Sequence, residues 1–411
     1  MNKRVLCAIL AITLLLLPGC QVQTDQPNTL SPDGTRPVAE ETEPTITYGW
    51  TSGESPVPNE RIGLYRAGLN HVAHAVSPSG VYFFYPETEG SKDTYVTYAD
   101  NGSDTFIKLC GRPDCTHNTP DCNAYIYDGS FLSYYGGYLY AISGDHSAID
   151  DTCALIRMDP DGSNHITVMD LTAYAKEIGK DYAEIVCITE GICLFSVYMW
   201  DVTEFVGGTG REPKHQGYYY YKLDGSMDKP AEASTGGIAC YSCGDVFLTY
   251  DPASVNGGSY GSYYDWDADT NSATFLTDHP GEPGWFGSNE GYYFKDGYIC
   301  RLTYATQKEE FMVDTGLEGD YFLCAFPDCL VLAANESPST DHNLYIYNWS
   351  FELLDTVRIP NPTSNRTHFM LIAETADRLI LTDKDLGAPK YFINKSELGT
   401  GNVEIHAFEY T

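Results

Sequence analysis

Three thiols and one imidazole fall within 13 residues at Cys110-x4-Cys115-x-His117-x4-Cys122. Thiolate sulfur and imidazole nitrogen are ligand types that zinc takes, and four of them close a tetrahedral Cys3His site. The interval Arg112-Pro113-Asp114 suits a tight turn presenting those ligands. The alternative is a disulfide, natural in an exported protein, with one thiol left over. Either reading makes the segment structural, because four protein ligands leave no open position for a substrate.

Other spacings invite chemistry and lack its context. Gly257-Gly258-Ser259-Tyr260-Gly261 matches G-x-S-x-G, but the nucleophile elbow needs a helix after the serine. Tyr263-Tyr264-Asp265-Trp266 follows and reads as strand and turn. Asp265-x-Asp267-x-Asp269-x-Asn271 imitates half of a calcium loop. Thr270 and Leu276 stand where glycine and glutamate are needed, so a hairpin is expected. His71 and His74 lie on an expected edge strand, at a spacing that does not put them on one face. Cys240-Tyr241-Ser242-Cys243 lacks the βαβ surroundings of a redox pair. With Cys153, Cys187, Cys193, Cys300, Cys324 and Cys329, these two are expected as small buried hydrophobes in strands.

The elements that carry these residues repeat. Each unit has a Gly or Asp turn, a Tyr- or Leu-rich run, a second run, an Asp/Gly/Asn turn and a short apolar strand. Starts fall at Gly80, Gly137, Gly191, Gly244, Gly291, Asp328 and Asp377, spaced 37 to 57 residues apart. Propeller blades repeat on a scale of about 40 to 50 residues. The 33 tyrosines and 38 glycines suit half-buried pleated surfaces joined by tight turns. The expected fold is all-β: a β-propeller of about seven four-stranded blades over residues 61–411. A pair of packed sheets is the competing architecture. Leu171 to Lys180, capped by Asp170, is the one segment that reads as helix. Residues near Ile62 to Val76 are expected to supply a strand completing the last blade, since a closed ring removes exposed edges.

The N-terminus reads as an address. Lys3 and Arg4 precede an apolar run from Val5 to Leu17, the length of a signal h-region rather than a membrane span. Leu17-Pro18-Gly19-Cys20 resembles the lipobox of bacterial lipoproteins, although Pro18 departs from its usual residue. The resemblance implies a signal peptide over 1–19 and a diacylglyceryl group on the Cys20 thiol. Residues 20–60, with Pro27, Pro32, Pro37, Pro44, Pro56 and Pro58 among acids, are expected to form an extended stalk. The net charge of −33 is spread along the chain. It rules out nucleic acid as a partner, which requires clustered Lys and Arg.

The lipobox, acidic stalk, Tyr-rich blades and the run from Leu109 through Tyr125 together resemble uncharacterised cell-surface lipoproteins of clostridial-type bacteria. Their ectodomains are similar to propellers of low-density-lipoprotein-receptor type, although the Tyr-Trp-Thr-Asp blade signature is absent here. The resemblance implies a propeller anchored on the extracytoplasmic face of the cell membrane. It also implies an anaerobic host, which favours zinc over a disulfide at the cysteine segment.

The expected function is a membrane-tethered binding or scaffold module for a glycan, peptide or protein. The alternative is an exported hydrolase or lyase with carboxylates lining the central channel. If Cys20 is the anchor, Cys20→Ser releases the protein from membranes or blocks its maturation while leaving the domain folded. Fractionation of cells expressing both forms checks this, and a wild-type protein found wholly in the medium contradicts it.

Overall fold

A computed structural model describes residues 51, 53–54, 74–86, 91–144, 152–189, 191–205, 208–235, 238–243, 246–251, 262–278, 284–287, 289–319, 321–334, 343–359, 369–383 and 389–411. The signal, Cys20, nearly all of the stalk and the Gly257–Gly261 motif lie outside the described residues. No described helix is long and apolar enough to cross a membrane.

The strands fall into seven antiparallel meanders, each ordered as in the chain. Blade 1 holds His74–Ser77, Gly80–Pro86, Asp93–Asp100 and an outer strand split into Thr105–Lys108 and Tyr125–Tyr127. Blade 2 holds Leu132–Tyr135, Tyr138–Ser143, Ala154–Met158 and Ile166–Asp170. Blade 3 holds Tyr182–Thr189, Ile192–Phe205, Gly208–Lys222 and Ala231–Glu232. Blade 4 holds Ile238–Cys243, Val246–Asp251, Ser262–Asp267 and Ser272–Asp278. Blade 5 holds Trp285–Phe286, Glu290–Lys295, Tyr298–Thr303 and Lys308–Asp314. Blade 6 holds Tyr321–Ala325, Cys329–Ala334, Asn343–Asn348 and Leu353–Arg358. Blade 7 holds Phe369–Glu374, Arg378–Asp383, Pro389–Asn394 and His406–Ala407. The helix, Leu171–Glu177, follows blade 2, and its Asp170 cap accepts from the Ala173 amide at 2.8 Å.

Side-chain alternation makes these sheets a ring. In blade 1, Tyr82 and Phe84 pack with Leu132, Leu139 and Ala141 of blade 2. Their neighbours Val81 and Phe83 pack with Ala373, Ile380 and Phe392 of blade 7. Tyr140 and Ile142 of blade 2 meet Cys193 and Phe195 of blade 3. Leu194 then meets Trp266 of blade 4. Tyr263 and Leu276 join the blade 5 cluster, which includes Leu330 and Leu332 of blade 6. Val331 and Ala333 face Leu379 and Leu381 of blade 7. The second strands of blades 1, 2, 5 and 6 are therefore buried on both faces and read as apolar runs rather than as apolar/polar alternation. Every blade shares a core with two neighbours, and the last returns to the first. The fold is a seven-bladed β-propeller.

The ring closes differently from the sequence expectation. Val76 belongs to the innermost strand of blade 1, because the Pro78-Ser79 turn pairs Val76 with Val81 in the same sheet. A strand held by a two-residue turn cannot reach the last blade, and residues 62–73 lie outside the described residues. The C-terminus supplies the seam instead. Glu409–Tyr410 runs parallel to Thr105–Phe106, on the outer edge of blade 1. Phe106, fully buried, meets Phe408 edge-on at 4.9 Å and Tyr410 stacked at 5.1 Å. The buried Arg378 of blade 7 lies 4.0 Å over Phe392 and donates to the Ser103 carbonyl of blade 1.

A second charged lock joins blades 6 and 7. Lys395, 2% exposed, pairs with the equally buried Glu374 and donates to Asp328 at 2.7 Å. Burial raises the Glu374 carboxyl to about 7, opposed by the Lys395 charge. A carboxyl raised on folding contributes stability that is full at low pH and lost as pH rises through about 7. Lys395→Met removes the opposing charge, so that loss becomes steeper. Thermal unfolding should show a cost of about 3–5 kcal/mol at pH 8. The cost should be clearly smaller at pH 5, where Glu374 carries a proton.

Candidate functional site

The cysteine segment is an insertion in the outer strand of blade 1. The Leu109 amide donates to the Val96 carbonyl, and the Val96 amide donates to the Ala124 carbonyl, each at 2.8 Å. One residue of the third strand thus holds both ends of the loop 110–123. Blade 2 seals this neck from the side. His165 Nε2 lies 2.9 Å from the Asn123 carbonyl. Gly162, at φ +79°, comes so close that a Cβ would sit 2.3 Å from the Leu109 carbonyl oxygen.

Within the loop, backbone bonds from Cys115 to Arg112 (3.2 Å) and from Cys122 to Thr119 (3.0 Å) form two tight turns. Arg112 Nη1 donates across to the Asp121 carbonyl at 2.7 Å, so the expected Arg112–Asp114 turn is braced against the other limb. His117 sits in the left-handed region at φ +56°, uncommon for a side chain other than glycine. Its amide donates to Cys115 Sγ at 3.4 Å, and its carbonyl accepts from Lys108 Nζ at 2.6 Å. That ammonium lies 4.0 Å over the Tyr95 ring.

These constraints bring the four predicted ligands together. The sulfurs of Cys110, Cys115 and Cys122 and a ring nitrogen of His117 all lie within 4.8 Å of one another. His117 Nδ1 is 3.7 Å from Cys122 Sγ. A tetrahedron with metal–sulfur bonds of about 2.3 Å and metal–nitrogen bonds of about 2.0 Å has edges of roughly 3.5–3.8 Å. Cys122 is 3% exposed and packs with Leu109 and Ala124, whereas Cys110 and Cys115 are half-buried. Burial pushes the Cys122 thiol up to about 12. At Cys110 burial also pushes upward, but the Arg112 and Asn123 amides and the neighbouring thiols outweigh it and lower the thiol below its ordinary value. Arg112, His117 and Ala124 each stand two residues after a cysteine and present an amide to its sulfur. The cluster could hold a metal ion.

The remaining motifs resolve into structure. Asp267 accepts from the Asp269 and Thr270 amides at 2.7 and 2.8 Å, closing the hairpin between the third and fourth strands of blade 4. Asn271 accepts from Trp266 Nε1 and the Ser234 amide, tying that turn to blade 3. His74 lies in an innermost strand, and His71 lies outside the described residues. Cys153, Cys193, Cys300 and Cys329 are buried, as expected, and Cys324 is half-buried. Cys187, Cys240 and Cys243 fall in innermost strands of blades 3 and 4.

Two features were missed in the sequence. Lys108 gives no local signal, because its partner is a carbonyl nine residues on. The other is an arm: Ile192–Phe205 and Gly208–Lys222 pair to their tips, whereas their neighbour in blade 3 reaches no farther than Tyr198. Tyr182 stacks on Tyr198 at 4.8 Å and lies 5.1 Å from Trp200, and His215 is 5.5 Å from Tyr198. The alternation Tyr198, Trp200, Val202, Glu204 was the available clue.

Meander topology sorts the connections between two faces. First-to-second strand turns span two or three residues in every blade. Second strands end and third strands begin on the opposite face, where the arm of blade 3 projects, while third-to-fourth connections share the first face and span 4 to 11 residues. The helix is on the arm's face too, between blades 2 and 3.

This is a β-propeller carrying a Cys3His loop. No protein-family model matches the sequence, and no curated protein matches it. Among solved structures, Hsv2 of Kluyveromyces lactis is similar at 10% identity and TM-score 0.44, over 79% of this chain and 92% of that one. BamB of Moraxella catarrhalis is similar at 10% identity and TM-score 0.33, over 82% of each chain. A puromycin hydrolase is similar at 12% identity and TM-score 0.46, over 89% of this chain and 57% of that one. At such values the fold rests on the sheet topology above.

If the cluster is a metal site, His117→Ala lowers metal content and thermal stability together, and a chelator does the same to the unaltered protein. At a disulfide the pattern inverts: a reductant destabilises, a chelator does nothing, and His117→Ala is nearly silent. Metal analysis with parallel melting curves separates the two.

Proposed function

We propose that the chain is a lipid-anchored protein of the extracytoplasmic membrane face, tethered at Cys20, whose propeller is a binding or scaffold module. Its ligand is a glycan, peptide or protein, and it belongs with the clostridial-type surface lipoproteins it resembles. The observation that carries the binding reading is the asymmetry between faces. On one face the first-to-second turns span two or three residues and the third-to-fourth connections reach 11, while the other carries the helix and the arm. Long connections on a rigid scaffold are where recognition resides. The aromatic residues at the arm's base have the amphipathic character that suits such contacts.

The channel-enzyme alternative has less to stand on. Glu184 and Glu374 are the only carboxylates in the seven innermost strands, and Glu374 is buried against Lys395.

The metal, in this reading, is structural zinc. Three thiolates and a neutral imidazole would leave a zinc site with net charge −1, and Lys108 is the cation next to the loop. Zinc would cross-link a loop that otherwise buries little of itself in the core.

The binding reading is tested by replacing Met199–Lys214 with an Asn-Gly turn, which reconnects the cross-strand pair Tyr198 and His215. The full-length protein is screened on glycan and peptide arrays, and hits are measured with both forms. The expected result is at least a tenfold loss of affinity with an unchanged melting curve. Hits that are consumed rather than bound favour the enzyme. Affinity indifferent to the arm and to the other long connections overturns the reading.

A further inference from the structure

We propose that the cysteine loop is a reversible thiol switch in which Cys110 and Cys115 form a disulfide and give up the metal, while Cys122 stays behind as an anchor. This rests on the zinc reading above and adds a modification site to it. Three observations carry it.

The first is distance. The Cys110 and Cys115 sulfurs lie within 4.8 Å of one another, so side-chain rotation and a small shift of the turn bring them to bonding range near 2.05 Å. The second is access. Cys110 and Cys115 are half-buried, whereas Cys122 is 3% exposed and packed in the core shared by blades 1 and 2. An oxidant arriving from solvent meets the first two. The third is mechanical independence. The loop's ends are held by the two Val96 hydrogen bonds and by His165, none of which involves a ligand side chain. The loop can change its internal cross-link without opening the blade.

The co-reactant is a hydroperoxide. One thiolate sulfur attacks the peroxide O–O bond, which breaks to give a sulfenic acid and water after proton uptake. The second thiolate attacks that sulfur, the S–S bond forms and the S–OH bond breaks. A second water leaves after another proton is taken up. Two thiolates lose two electrons, and one hydrogen peroxide becomes two waters. Cys122 and His117 alone make a two-ligand site, too few to retain zinc against competition.

The test uses full-length protein isolated under reductant and loaded with zinc, then treated with one equivalent of hydrogen peroxide. Zinc release is followed with a chromophoric chelator, and disulfides are mapped by peptide mass spectrometry. The expected result is one zinc released per Cys110–Cys115 bridge, with the melting transition still cooperative, and full reversal by a thiol reductant plus zinc. In Cys115→Ser no bridge forms at this dose. A bridge involving Cys122, or sulfinic acid without a bridge, overturns the switch while the zinc reading stands. Protein that holds no metal under reductant overturns both.

Discussion

Everything in this molecule depends on the requirement that a blade bury two faces at once. A second strand such as Val81–Phe84 is apolar on both sides, so a blade at the end of a row would expose half of its best-packed residues. Burying a side chain of this size is worth about 1.5–3 kcal/mol, and each junction gathers many of them. A ring is the arrangement that leaves no end. The junction between blades 7 and 1 lacks the chain continuity of the others. It carries extra cross-links instead: a borrowed C-terminal strand, an aromatic stack around Phe106 and the buried Arg378.

Once the ring is rigid, decoration becomes inexpensive. The outer strand of blade 1 tolerates a 14-residue interruption because Val96 bonds the residues on both sides of it. Blade 3 tolerates an arm because the base of the arm is locked by Tyr182, Tyr198 and His215. Neither insertion contributes to closure. Both are free to serve chemistry or recognition without taxing stability, which is the division of labour expected of a scaffold and its loops.

Much of this is legible in the sequence. The repeat of turn, apolar run and second run marks the second, third and fourth strands of each blade, because those strands are joined by turn residues that sequence displays. Innermost strands are harder. Trp285–Phe286 is two residues long, and three innermost strands carry a bulge, so their periodicity is too short or too broken to read. That is why the strand at Val76 was assigned to the wrong end of the ring. The four residues that cluster in the blade 1 loop were visible from type and spacing alone. Their surroundings were not: Val96, Lys108 and His165 act through backbone atoms or on them, and such contacts leave no compositional trace.

The seam has a temporal consequence. The residues that join the outer edge of blade 1 stand far along the sequence from it, with Thr411 bonded to Phe106 across 305 positions and Arg378 to Ser103 across 275. Contacts this distant in sequence form late, because closing a long loop must precede any gain from it. A chain emerging N-terminus first therefore holds its earlier blades in an open arc until blade 7 and the seam residues after it arrive. During that interval the flanks of the first and last formed blades are sticky, edge-exposed surfaces of the kind that chaperones hold and aggregates recruit. The finished ring's durability and the vulnerability of its assembly are two faces of the same distance in sequence between the partners at the seam.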